Sequence, residues 1–208
     1  MPRKKGRLIP LLKVGVWIGA LTPFVLLVRK LLPGSFVADP VKLIHHDTGV
    51  AALVLLFLTL LVTPIRKVTG WHKIIRFRRL LGLFAFFYVF LHATSYFAFD
   101  HRFDPVEILE DVKEHTWVLA GFSAFVLLIP LAVTSTSGWI RRLGGKRWSR
   151  IHSLIYPATA LGVLHYYWLV KIDVVDPLYY AGALGGIFLL RSALRLRDRY
   201  ATGRSAAP

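Results

Sequence analysis

"GLFAFFYVFLHATSYFAF", residues 82–99, contains no Asp, Glu, Lys or Arg, yet it places His92 well inside the run. An uncharged apolar stretch of this length reads as a membrane-spanning helix. An ionisable side chain at that depth is expensive, and it marks a function or a partnered group. The fold follows from the first statement and the search for a site from the second.

Outward from this stretch the 208-residue chain, 55% apolar, alternates long apolar blocks with short charged segments. Six spans are expected at 11–32, 48–63, 80–99, 117–133, 151–170 and 178–196, with Pro64 ending the second and Arg191 and Arg195 snorkelling from the sixth. The expected fold is an all-α integral membrane protein, a six-transmembrane-helix bundle. A basic N-terminus covers 1–10, the transmembrane domain 11–196 and a tail 197–208. The opening "MPRKKGRLIPLLKVGVWIGALTPFVLLV" is read as a retained first span, because its apolar run continues to Leu32 without a small-residue cleavage pattern.

The formal charge of +16 is not a nucleic-acid signature, because the cations sit between apolar blocks. Segments 1–10, 64–79, 135–150 and the chain after Leu190 hold 20 of the 27 Lys and Arg, all on one side of a six-span chain. The opposite side receives 10 of the 11 acids, most of them in "DHRFDPVEILEDVKEH". The positive-inside rule then puts both termini in the cytoplasm. The acidic loop 100–115 and the short loop 171–177 are expected to form a docking surface on the outer side.

There is no cysteine, so a tightly held metal must use His or carboxylate ligands. His45, His46, His72, His101 and His115 fall in or beside loops and are read as solvated or interfacial, with His46 at the outer mouth of the second span the most arguable. His92, His152 and His165 fall within spans. His92 lies about 18 Å along its helix from Leu80 and His165 about 21 Å from Ile151, at 1.5 Å per residue. Both helices run the same way, so the two imidazoles are at matched depth in the outer half of the bilayer. Core histidines bonded to hydroxyls such as Thr94, Ser95 or Thr159, or to backbone, are the plain alternative. Two at one depth favour axial ligation of haem iron, with Ala93, Gly162 and Ala85 as small neighbours and Phe90, Tyr96 and residues 165–168 as aromatic packing. His152 and His165 are rotated by about 140° from one another on a helix, which implies two sites rather than one.

"RRLLGLFAFFYVFLHATSYF" (78–97), "LAVTSTSGWIRRLGGKRWSRIHSLIYPATALGVLHYYWLVK" (131–171) and "ADPVKLIHHDTG" (38–49) closely resemble the haem-binding membrane subunits of bacterial protein-methionine-sulfoxide reductase systems, the MsrQ or YedZ family. The resemblance runs in order from about Leu12 to Arg195. It implies a ferric-reductase-like transmembrane domain with haem b, one or two, and flavin mononucleotide (FMN). It also implies electrons received from a cytoplasmic NAD(P)H flavin reductase or from quinol. They would pass to a periplasmic molybdopterin methionine-sulfoxide reductase catalytic subunit that repairs oxidised envelope proteins. His92 and His165 match the family's intramembrane histidines and His152 matches the third. In the wider ferric-reductase pattern helix three carries a second histidine, and Arg78 stands there instead. Either His152 holds a second haem with a partner from elsewhere, or the flavin occupies that region, with Arg78, Arg79 and Lys146 against its phosphate. A stand-alone ferric or cupric reductase, and a transporter with titrating histidines, are the competing functions. No Asp or Glu lies inside any expected span, which counts against the transporter.

Overall fold

The computed structural model describes residues 8–34, 36–170 and 174–204. Eight helices follow one another, and there is no strand among the described residues: α1 (Leu8–Leu31), α2 (Pro40–Thr69), α3 (Ile75–Ser95), α4 (Pro105–Glu114), α5 (Thr116–Val133), α6 (Ser137–His152), α7 (Ile155–Leu169) and α8 (Val175–Arg204). A 3-10 turn at His72–Ile74 leads into α3, and a π turn at Tyr96–Asp100 prolongs it. The chain sets the ends of α2 by local chemistry. The Asp39 side chain accepts the Lys42 N–H ahead of Pro40, and Gly70 closes the helix at φ 67° with its N–H on the Arg66 carbonyl. Asp104 and Pro105 start α4 in the same way.

α2 is the central element. Leu53, Leu56, Phe57 and Leu60 along it are buried, and it packs along α3, while α5 packs along α7. α1 covers the outside, with Leu11, Trp17, Ile18 and Val25 exposed as they would be to lipid.

Proline did not stop α2. The helix runs past Pro64 to Thr69, so the expected end of the second span is corrected. Pro64 cannot donate to the Leu60 carbonyl four residues back, and in an apolar setting that carbonyl needs a donor. Arg191 of α8 supplies one, its guanidinium donating to Leu60 O at 2.8 Å and to the Tyr156 hydroxyl. Arg191 therefore turns into the bundle rather than snorkelling away. A side chain enters the ladder next to Pro23 in α1. There the Tyr88 hydroxyl accepts the Phe24 N–H (3.0 Å) and donates to the Ala20 carbonyl (2.6 Å), standing inside the ladder between residues four apart.

Four helical stretches, Ile9–Leu31, Pro40–Thr69, His72–Asp100 and Thr116–Val133, are long and apolar enough to cross a membrane. α7 has 15 residues, and the apolar part of α8 is interrupted at Arg191. α6 is kinked at Gly144 (φ 71°), and the expected fifth span, 151–170, is tightened near its start. His152 ends α6, Ser153 and Leu154 keep right-handed helical angles in a turn bonded to Ser149, Arg150 and Ile151, and α7 starts at Ile155. The loop expected at 100–115 contains α4. Lys67 bonds Asp198 at 2.5 Å, which brings the basic ends of α2 and α8 together, while Lys30 bonds Asp47 at 2.7 Å at the other end of the bundle. Arg3, Lys4, Lys5 and Arg7, the segment 171–173 and the last four residues lie outside the described residues.

Candidate functional site

α3 and α7 bring His92 and His165 together. Their ring centroids are 6.0 Å apart and their planes 82° from parallel. Each imidazole is fixed through Nδ1. That atom of His92 is 3.0 Å from the His45 carbonyl, with the Thr48 hydroxyl at 3.4 Å; that of His165 is 2.7 Å from the Trp117 carbonyl. A carbonyl can only accept, so Nδ1 carries the proton in both rings, and Nε2 keeps its lone pair. Neither Nε2 has a hydrogen-bond partner among the described residues. A carbonyl holding one ring nitrogen in this way orients a metal-bound imidazole.

Glycine makes the close packing feasible. A Cβ on Gly121 of α5 would lie 2.8 Å from His165 Nδ1, and one on Gly49 of α2 would lie 3.4 Å from His92. Each ring therefore rests against a helix backbone that carries no side chain at that point. The two rings open on a cavity of about 980 Å³, walled by Ala52, Leu53 and Leu56 of α2, Val89 of α3, Ala124 and Leu128 of α5, and Ala158, Gly162 and Tyr166 of α7. This is at the upper end of the range for organic ligand sites. Ala158, Gly162 and His165 follow helical spacing, so α7 presents one stripe of small residues ending in an imidazole.

Haem fits these residues. His92 and His165, with ring centroids 6.0 Å apart, are near enough to hold one iron between them. Most of the lining is apolar, as a macrocycle requires, with Asp39, Lys42, His45, His46 and Asp100 as its other acidic or basic side chains. No group of three or more His, Cys, Asp or Glu among the described residues is arranged to hold a bare metal ion.

Sequence reasoning passed over His45. It lines the cavity, its ring centroid is 5.7 Å from that of His92, and its buried Nε2 has no hydrogen-bond partner, with Asp100 Oδ2 at 3.8 Å. The signal was present in the chain: His45, Gly49, Ala52 and Leu56 fall on one helical stripe. His46 lies at the mouth, more exposed, with Nδ1 3.3 Å from Asp47. Of the small neighbours expected, Gly162 lines the cavity, while Ala85 is packed in the core. Of the expected aromatics Tyr166 lines it, whereas Phe90 is exposed and Tyr96 bonds Asp111 away from it. Ser95 and Thr159 bond backbone carbonyls and neither imidazole.

His152 is elsewhere. Its ring stacks on Trp148 with centroids 3.9 Å apart, Nδ1 is 3.2 Å from the Trp148 carbonyl, and Ser135 Oγ stands 3.5 Å from Nε2. It does not line the cavity that holds the other two. The charge of Arg78 acts on both His152 and Arg191, so these groups share the basic end of the bundle.

Outside the spans, Asp111 of α4 gathers three neighbours. Tyr96 donates to it, His101 Nε2 is at 3.2 Å and His115 Nδ1 at 2.6 Å. Burial opposes ionisation of this carboxyl, but the hydrogen bonds from Tyr96, His115 and His101 outweigh burial and hold its pKa below the ordinary 3.8.

Residues 48–163 match the family described as "Ferric reductase like transmembrane component". A protein of Herminiimonas arsenicoxydans, "Protein-methionine-sulfoxide reductase heme-binding subunit MsrQ", is 45% identical over 185 residues, 88% of this chain and 85% of the relative. Proteins with the same name from Xanthomonas campestris pv. campestris (strain 8004) and Xanthomonas axonopodis pv. citri (strain 306) are 48% and 47% identical over 171 residues, 82% of this chain and 78% of each relative.

Proposed function

Since this chain belongs to the MsrQ family of heme-binding subunits, built on the ferric-reductase-like transmembrane component, we propose that it holds haem b between α3 and α7, with Nε2 of His92 and Nε2 of His165 as axial ligands. One observation carries this reading: two imidazoles on separate helices, each with Nδ1 tied to a backbone carbonyl and with no hydrogen bond to Nε2 among the described residues, line a single, mostly apolar cavity. Haem iron supplies one-electron exchange between its ferric and ferrous forms.

The residues of the chain do the rest. The His45 and Trp117 carbonyls fix the ring tautomers, Gly49 and Gly121 admit the rings, and the apolar walls keep water from the metal. On this reading electrons come from a cytoplasmic NAD(P)H flavin reductase or from quinol. They leave on the periplasmic side for a molybdopterin methionine-sulfoxide reductase catalytic subunit that repairs oxidised envelope proteins. The six-crossing topology with cytoplasmic termini in the inner membrane belongs to the same reading, and the charge segregation along the sequence supports it. FMN would bind toward the basic end, with Arg78, Arg79 and Lys146 as the residues that would meet its phosphate. A second haem on His152 is less well supported, because that ring is stacked on Trp148. Purified protein expressed with ample haem tests the outer pair. His92→Ala and His165→Ala lose the low-spin absorption spectrum; unchanged haem content in both would overturn the assignment.

A further inference from the structure

α4 lies across the acid-rich end of the bundle, and only one of its faces is packed. Asp111 and Val112 point inward, Val112 into the protein and Asp111 onto Tyr96, His101 and His115. The opposite face carries Val106 and Leu109, 63% and 53% exposed, and Phe103 just ahead of the helix is 62% exposed. Phe103 is held at φ 60°, a backbone conformation unusual for a bulky side chain. Glu107, Glu110 and Glu114 lie beside this apolar stripe, Lys113 falls on the same face one turn beyond Leu109, and between residues 100 and 115 six carboxylates stand against two cations.

We propose that the Phe103–Val106–Leu109 stripe and its acidic flank are the docking surface for a soluble, electron-accepting protein that presents an apolar patch ringed by lysine and arginine. The proposal rests on the reading that this chain passes electrons out at its acid-rich end, and it names where on that end the acceptor sits. Charge selects the occupant. Helices that lie in a bilayer surface carry Lys and Arg on the polar face, and anionic headgroups repel a face like this one. A second copy of the chain would bring the same acidic face and meet like charge. A basic-rimmed soluble partner meets complementary charge and covers the apolar stripe.

The surface is also well placed for delivery. Asp111 ties α4 to Tyr96 and His101, the residues that bracket Phe99 and Asp100 at the cavity wall. The helix runs through His115 into α5, two residues before the carbonyl that fixes His165. An acceptor on the stripe therefore sits on the outer face of the helix whose inner face is tied to the segment that lines the cavity.

The test uses the full chain in nanodiscs and, as the probe, the purified soluble methionine-sulfoxide reductase catalytic subunit from the same organism, with binding followed by interferometry at two salt concentrations. Glu107→Lys with Glu110→Lys slows association by about tenfold or more and removes its salt sensitivity. Val106→Ser with Leu109→Ser speeds dissociation by about tenfold. Both variants keep the parental haem spectrum, since none of these side chains reaches the cavity. Parental binding by both variants overturns the proposal, and so does a parental chain that ignores the reductase while its stripe inserts into anionic vesicles. A colourless parental chain that still binds the reductase, and still responds to the two variants, sinks the haem reading and leaves the docking surface standing.

Discussion

The two ends of the bundle handle a histidine in opposite ways. At the acid-rich end His92 and His165 are tied down through Nδ1, rest on glycine backbone and face a common cavity. At the basic end His152 is tied through Nδ1 as well, but its ring is spent on Trp148. Anchoring one nitrogen is common to all three and so decides nothing. A ligand also needs its second nitrogen facing space, and that is set by glycine on the neighbouring helix.

The largest effect expected is on haem content. His92→Ala and His165→Ala each lose essentially all low-spin haem absorption, while His152→Ala keeps the parental haem-to-protein ratio. A fall to half in His152→Ala would erase the contrast and put a second haem at the basic end. Next is Gly121→Ala. Its methyl would meet the His165 ring at 2.8 Å, so haem affinity falls by about 10–100-fold, the usual penalty for disturbing what holds a ligand. Gly49→Ala, at 3.4 Å from His92, is milder, and equal losses at the two glycines would show that the approach distances do not control the site.

A smaller effect separates the ends by stability rather than by colour. Arg191→Leu strands the Leu60 carbonyl and lowers stability by about 1–3 kcal/mol, visible as a drop in Tm with haem content retained. Tyr88→Phe costs less, because the Phe24 N–H and Ala20 carbonyl it releases are four residues apart and can close the helical bond between themselves. The smallest effect is on pH dependence at α4. The folded-state pKa of Asp111 is depressed, so its tether contributes stability that is complete above the ordinary 3.8 and is lost as pH falls through the lower value. Hydrogen exchange in α4 should stay slow at neutral pH and rise only below about pH 4. Exchange that speeds up at pH 6 would show that something other than this carboxyl holds the helix.

The matched depth of His92 and His165 was legible because it needs only the helical rise and a common direction of travel. The motifs around them carried the family. Pro64 misled because the rule for proline is local, whereas the donor that rescues Leu60 stands 131 residues away in α8. His45 was hidden by its place next to a loop, although its stripe with Gly49 and Ala52 pointed inward. His152 looked like a span residue because the chain keeps helical angles through Ser153–Leu154, and the sign of a new start, Pro157 in the first turn of α7, comes only after it. Gly121 was invisible as a site residue, since nothing on its own helix says which ring will lie against it.

The Tyr88 hydroxyl has a consequence for how the chain is assembled. Until the third crossing arrives, the Phe24 amide and the Ala20 carbonyl, four residues apart on α1, have only one another, and the hydroxyl that comes to stand between them is not yet there. The bend in the first crossing is thus finished by a residue made 64 positions later in translation. That residue sits one turn before His92 on the same helix, so the register of the N-terminal crossing and the height of an imidazole in the bilayer are settled in one event.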